Sequence, residues 1–348
     1  MGVLFIIGNG FDLNCGMKTK YTDVYPEYVK CDSKSENIKK FKNEIGNDYD
    51  SWSDFEIAMG KYAKKLKSES EFVECIRDFS DFMINHLSNQ EAKILKILED
   101  ENIGNACKEE FGNSLDNFYT EITPRVTRKV QSYRFYRDYS AVTFNYTRIF
   151  DWFFQNYMWS HRIAVDVTHV HGTLMEGPIL GVDNINQIDS DYQLSYRGQR
   201  AFIKPIFNNE YDDFRVEDVK RKIASADFIC LFGISLGDSD LMWKEEIVKW
   251  LKANSNRNLF IFDYRYSQKK VLSATEKLDI MDDAKDEVLQ KLVVGQDESL
   301  REQIFVHVGK NIFNIGSVLS KTIEDIEKNK ELQKQTNEME SFRKIFNI

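Results

Sequence analysis

The chain has 348 residues, a formal net charge of −9, 30% charged residues and 42% hydrophobic ones, among them 25 Phe and 16 Tyr. That supplies a sizeable core, either in two average domains or in one large α/β domain with a helical insertion. The acidic balance argues against general neutralisation of nucleic-acid phosphates, which needs clustered Lys and Arg, although a local basic patch stays open. No apolar run reaches the roughly 20 residues that cross a bilayer. Met1 to Ile7 is too short for a signal peptide, so a cytoplasmic location without a membrane partner is expected. Cys15, Cys31, Cys75, Cys107 and Cys230 form no C-x-x-C pair and read as free thiols, Cys230 as a small buried hydrophobe.

Val3 to Ile7 is a continuous apolar run stopped by Gly8, the pattern of a strand buried on both faces of a parallel sheet. The next such run, Tyr139 to Phe144, comes more than 120 residues later. The interval reads as helical. Ser53 with Glu56 predicts a capping box and a helix from Asp54. Phe72, Cys75, Ile76, Phe79, Met83 and Leu87 recur at helical spacing, as do Leu115, Phe118, Ile122 and Val126, with Pro124 as a kink.

Beyond the insertion, strands are expected at Ala141 to Phe144, Ile163 to Val170, Ile179 to Val182, Phe228 to Ile234, Leu259 to Asp263 and Ile304 to Val308. Helices are expected at Arg148 to Trp159, Val216 to Ala224, Asp240 to Ala253 and Ala274 to Leu292. This alternation predicts βαβ units, hence an α/β fold with a Rossmann-like parallel sheet and a large helical insertion after the first strand. The divisions are 1–19 for the first strand and Gly-rich turn, 20–137 for the insertion, 138–322 for the rest of the core and 323–348 for a C-terminal helix. The stretch Asn184 to Asn209 is read as a hairpin or a loop over the site.

Four motifs end strands, the edge at which open α/β sheets bind ligands. Gly8-Asn9-Gly10-Phe11-Asp12-Leu13-Asn14-Cys15-Gly16 gives a tight turn into a helix whose free N–H groups can face a phosphate. Leu13 breaks the dehydrogenase fingerprint, and no acidic strand end follows about 20 residues on, which argues against hydride transfer. In Thr143-Phe144-Asn145-Tyr146-Thr147, Asn145 either caps a helix or donates and accepts at the site. In His169-Val170-His171-Gly172, strand alternation places both imidazoles on one side, and general-base work suits His171 better than a metal, for which no third ligand has matching spacing. Gly233-Ile234-Ser235-Leu236-Gly237-Asp238-Ser239-Asp240 offers a second helix N-terminus for an anion, with Asp238 or Asp240 alternatively an ordinary cap. Asp263 ends a strand where a carboxylate can hold ribose hydroxyls.

Together these four motifs resemble the AbiH family of bacteriophage abortive-infection proteins. They are also similar to those of the sirtuin-like NAD-consuming fold and its antiphage branch. That resemblance implies a catalytic pair, Asn145 in the Thr-x-Asn motif and His171 before Gly172. On it Gly8, Gly10 and Gly16 match the glycine-rich turn, and Gly233 and Ser235 the Gly-x-Ser nucleotide contacts; Asn9, Phe11, Asp12, Thr143 and Asp238 within the motifs, and Asp263 at its strand end, are further expected nucleotide contacts. The chain departs from the sirtuin pattern at Asp12, at Thr147 and over Lys18 to Tyr21, and it lacks the four-Cys zinc module of the deacetylases.

The implied function is an antiphage effector that hydrolyses NAD at the nicotinamide glycosidic bond, with NAD as substrate or ligand and no metal. An NAD or ADP-ribose sensor without turnover is the second expectation. A metal-dependent nuclease, drawing on His169, Asp12 and Asp183, is the third. A phage-derived trigger and a second copy of the chain are the further partners left open.

Overall fold

The computed structural model describes residues 2–120, 124–132, 138–161, 167–210, 214–234, 237, 240–263, 273–292, 298–308, 312–322, 324–325 and 328. Its six strands are β1 (Gly2–Ile7), β2 (Asp138–Thr143), β3 (Val167–His169), β4 (Phe228–Phe232), β5 (Asn258–Asp263) and β6 (Ile304–Val308). They form one all-parallel sheet in the order β3-β2-β1-β4-β5-β6. The fold is therefore mixed α/β and Rossmann-like. Among the described residues seven α-helices lie between β1 and β2: α1 (Gly10–Asn14), α2 (Tyr21–Tyr28), α3 (Glu36–Asn47), α4 (Phe55–Tyr62), α5 (Glu69–Leu98), α6 (Glu101–Asn117) and α7 (Pro124–Ser132). After β2 come α8 (Ile149–Ser160), α9 (Tyr196–Arg200), α10 (Lys204–Glu210), α11 (Arg215–Ser225), α12 (Leu241–Ala253), α13 (Ala274–Lys291) and α14 (Glu298–Arg301). Among the described residues no helix is long and apolar enough to cross a membrane.

Alternation along β1 divides its side chains between two cores. Val3, Phe5 and Ile7 pack with Phe11, Phe111 and Phe150, under α1, α6 and α8. Leu4 and Ile6 pack on the opposite face with Ile223, Trp243 and Trp250, from α11 and α12. Both faces being covered, the strand reads as an unbroken apolar run. A third core joins α2 to α5 through Tyr25, Tyr28, Phe41, Phe55 and Phe79, and takes in Leu180, Val182 and Phe202 from the later chain. Phe55 and Phe79 stack there at 3.9 Å between ring centroids.

Several local expectations change. Asp54, not Ser53, caps α4, its side chain accepting from the Ile57 N–H at 3.1 Å, and Glu56 is free for another role. Pro124 opens α7 instead of kinking a longer helix, as suits a residue with no N–H to donate. Ile179 to Val182 contributes only a bridge, Val182 to Ile203. The stretch from Asn184 to Asn209 is neither hairpin nor open loop, because α9 and most of α10 fall in it. The first residues of the expected 163–170 strand, and most of the C-terminal helix expected over 323–348, lie outside the described residues.

Strand order reverses between β1 and β4, and there the two strand-end turns touch. The Gly8 N–H donates to the Phe232 carbonyl at 2.9 Å, and the Gly10 N–H to the Gly233 carbonyl at 3.0 Å. A Cβ on Gly10 would sit 2.3 Å from the Gly233 Cα, and Gly233 has φ +68°. Glycine is needed at these two positions for backbone to meet backbone, before any ligand is considered. Gly16 differs: its φ is +83°, but nothing lies within 4 Å of where a Cβ would go. Gly16→Ala should therefore cost only about 1–2 kcal/mol. Gly10→Ala should cost at least about 3 kcal/mol or prevent folding, because backbone atoms would have to move. Urea unfolding of both variants reads the difference; equal losses would contradict the close approach of the turns.

Candidate nucleotide site

A cavity of about 530 Å³ opens at the C-terminal edge of the sheet, over the β1/β4 reversal. That size lies within the range of small-molecule and cofactor sites. Of the residues picked from the sequence, Gly8, Asn9, Gly10, Asp12, Asn145, His171 and Gly233 line it. Phe11 and Thr143 are buried and outside its lining, Phe11 with its ring edge-on to Phe150 at 5.1 Å. Gly16 also lies outside; it ends α1, with the Met17 N–H donating to the Asp12 carbonyl at 3.0 Å. Asp263 ends β5, but its side chain, like Ser235 and Asp238, falls outside the described residues.

Asn145 is held by its backbone. Its N–H donates to Thr143 Oγ1 at 3.1 Å, and its carbonyl accepts from His169 Nδ1 at 2.8 Å. His169 Nε2 faces the Asp151 carboxylate on α8 at 2.9 Å. Burial works to lower the His169 pKa, but Asp151 and the Asn145 carbonyl outweigh it and hold it above the usual value. With both ring nitrogens donating, His169 has no lone pair to offer a metal. It positions Asn145.

Asp12 lies beside this group, 2% exposed, and Thr147 Oγ1 donates to its Oδ2 at 2.6 Å. Burial pushes its carboxyl up to about 7, against the Thr147 hydrogen bond and the nearby Asn145 amide. Asn9 braces the same turn through Thr19, whose carbonyl accepts from Asn9 Nδ2 at 3.1 Å and whose hydroxyl donates to Asn9 Oδ1.

The second wall centres on His171. Its Nε2 faces Asp240 Oδ1 at 3.1 Å, and Lys204 Nζ donates to the same oxygen at 3.0 Å. Burial, then Lys204, holds His171 below its usual pKa, outweighing Asp240. Burial alone would raise the Asp240 pKa and lower that of Lys204, yet their attraction to each other and to neighbouring groups moves both the opposite way. Near neutral pH the group is thus an ion pair beside an uncharged imidazole, which carries its proton on Nε2 toward Asp240 and leaves Nδ1 basic. Tyr21 Oη donates to Glu56 Oε1 at 3.0 Å, and burial pushes the Glu56 carboxyl up to about 7, with Lys204 opposing.

Lys204, Glu56 and Tyr21 were not picked from the sequence. A signal for Lys204 existed: it is the lone cation within Ala201-Phe202-Ile203-Lys204-Pro205-Ile206-Phe207, and a charge in such a run must be paired if it is buried. Glu56 reads in the sequence as part of a capping box with Ser53, a role that the Asp54 cap removes.

Two further expectations are revised. β3 ends at His169, so alternation does not carry through to His171. The partner of His169 is on α8 and that of His171 lies just before α12, helices that pack on opposite faces of the sheet. The α12 N-terminus, expected to offer N–H groups to an external anion, already has the Asp183 carboxylate, which accepts from the Met242 N–H at 3.4 Å. Among the described residues no three His, Cys, Asp or Glu side chains gather as a metal site requires.

One family model, described as bacteriophage abortive infection AbiH, matches residues 4–262. No curated protein matches the chain.

Ionisation of Asp12 gives a test of this wall. Its folded pKa, about 7, lies above its ordinary 3.8. The stability contributed by the buried neutral acid is therefore fully present below about pH 4 and lost as pH rises through about 7. Asp12→Asn removes that loss. The variant should gain on wild type between about pH 4 and 7, by up to about 4 kcal/mol, and keep a constant lead above that. Urea unfolding across this range measures the gap; a gap independent of pH would contradict a carboxyl buried as described.

Proposed function

Because the chain belongs to the AbiH family of bacteriophage abortive-infection proteins, we propose that it binds NAD and hydrolyses the nicotinamide glycosidic bond, depleting the nucleotide in an infected cell. The observation that carries this reading is the pairing of Asn145 and His171. They come from the ends of adjacent strands, β2 and β3, and open on one cavity above the β1/β4 reversal. The sirtuin-like resemblance assigns NAD cleavage to this asparagine and this histidine. Open α/β sheets bind dinucleotides at the point where strand order reverses.

The chemistry follows from the charges. Cleavage passes through an oxocarbenium-like state, and the leaving nicotinamide departs neutral from a cationic ring. In the wall Asp240 is paired with Lys204, and Asp12 and Glu56, both pushed up to about 7, favour positive charge at the reacting ribose where they are ionised. His171, neutral and oriented by Asp240, can take a proton from a ribose hydroxyl at Nδ1. Such general-base work contributes roughly 10²- to 10⁴-fold in rate. Asn145 orients the reacting groups, and the Gly8–Gly10 and Gly233 turns offer backbone to the diphosphate.

A sensor that binds without turnover is the second reading, favoured by the Asp12–Thr147 bond at a position where NAD-cleaving relatives of the fold carry other residues. One experiment separates the two. Purified protein is given NAD, and free nicotinamide is measured beside ADP-ribose binding. Wild type should release nicotinamide. His171→Ala and Asn145→Ala should each lose roughly 10²-fold or more in rate while binding within about tenfold of wild type, because both act in the transition state. Binding with no release by wild type would select the sensor, and full activity of His171→Ala would remove the histidine from the mechanism.

A further inference from the structure

Two buried polar atoms bordering the cavity lack a hydrogen-bond partner, and they are complementary. One is Asp12 Oδ1, an acceptor; the other is Asn145 Nδ2, a donor. Both residues line the cavity, and Asn145 is close enough to act on the Asp12 carboxyl. Neither side chain is loosely placed. Thr147 holds the other Asp12 oxygen, and Thr143 and His169 hold the Asn145 backbone on both sides. Leaving such atoms unpaired costs about 1–3 kcal/mol each. A hydroxyl group, which donates and accepts at once, relieves both, and it belongs either to water or to a ribose.

We propose that Asp12 and Asn145 together hold the water that attacks the ribose, with Asp12 Oδ1 as its general base. This rests on the glycohydrolase reading above and adds a residue to it. Asn145 Nδ2 donates to the water oxygen, and the water donates one hydrogen to Asp12 Oδ1. The oxygen bonds to C1′ of the ribose as the C1′–N bond breaks. The electron pair of that bond goes to the ring nitrogen, so nicotinamide leaves neutral and needs no acid. The water proton goes to Asp12 and then to solvent, and the product is ADP-ribose. Opposing charges act on Asp12 from either side. Glu91 on α5 disfavours its anion, while His169 at the end of β3 favours it; the adjacent Cys15 thiol, held by burial well above its usual pKa, stays neutral. Asp12 must be ionised to act, so turnover should rise with pH through about 7.

Azide separates the two hydroxyl sources, since it attacks C1′ without giving up a proton. Asp12→Ala and Asp12→Asn are assayed with NAD, with and without sodium azide, the products identified by mass. Both should lose roughly 10²- to 10⁴-fold in hydrolysis. Azide should restore Asp12→Ala by at least about tenfold, yielding the azido derivative of ADP-ribose, and should not rescue His171→Ala. Should the alanine variant not fold, the asparagine variant carries the test: it keeps an acceptor for Thr147, should still bind ADP-ribose, and should lose the rise in rate near pH 7. Wild-type rates in either variant overturn the proposal. So does a folded, inactive Asp12→Ala that azide does not rescue, which would leave Asp12 holding a ribose hydroxyl or acting only in structure. Absence of nicotinamide release by wild type would overturn the glycohydrolase reading, and this proposal with it.

Discussion

The contact of backbone on backbone at Gly10 and Gly233 fixes everything above it. Two strand-end turns from distant parts of the sequence meet where no side chain fits, joined by the bond from the Gly10 N–H to the Gly233 carbonyl. With β1 and β4 level in register, Ile7 opposite Phe232, the turns form a common floor at the reversal of strand order. Asp12, two residues beyond the first turn, is thereby carried under the β2 end and reaches Thr147. Asn145 enters from β2 and His171 from beyond β3. Displacing the floor would move all three against one another.

Above that floor the cavity wall contains charges that stability does not require. Burying the Lys204–Asp240 pair costs desolvation that attraction only partly offsets, and such pairs can often be replaced by apolar residues without loss. Their shared consequence is the state of His171: Lys204 helps keep the ring uncharged, and Asp240 decides which nitrogen bears its proton. The same logic sets His169 apart. Paired with Asp151 beneath the wall, it is held toward its charged form and spends both nitrogens on fixing neighbours. Two histidines two residues apart thus have opposite tendencies: at His169 Asp151 and the Asn145 carbonyl outweigh burial and the nearby Arg148, whereas at His171 burial, with Lys204 on the shared Asp240, prevails.

Strands were legible in the sequence because a parallel strand covered on both faces leaves an apolar run, as Val3 to Ile7 and Phe228 to Phe232 show. The turn glycines were legible as well, though their demand for close backbone approach was not: it depends on Gly233 meeting Gly10, which no local pattern encodes. The largest gap is Lys204. Its partners Asp240, Glu56 and Asp183 are spread over three other parts of the chain, and pairings of that kind belong to tertiary structure. Glu56 was misread for a related reason. Its position suited a capping box equally well, and only packing shows that Asp54 supplies the cap while Glu56 faces Tyr21.

The β1/β4 floor and the Asn145–His171 wall are proposed above to form one nucleotide site. A crystal structure of the protein with ADP-ribose tests it most directly. The diphosphate is expected within hydrogen-bond reach of the Gly8–Gly10 and Gly233 backbone, with the distal ribose between Asn145 and His171. Density for the ligand elsewhere, such as the groove beside Arg197 and Arg200, with the cavity over the turns left to solvent, would contradict it.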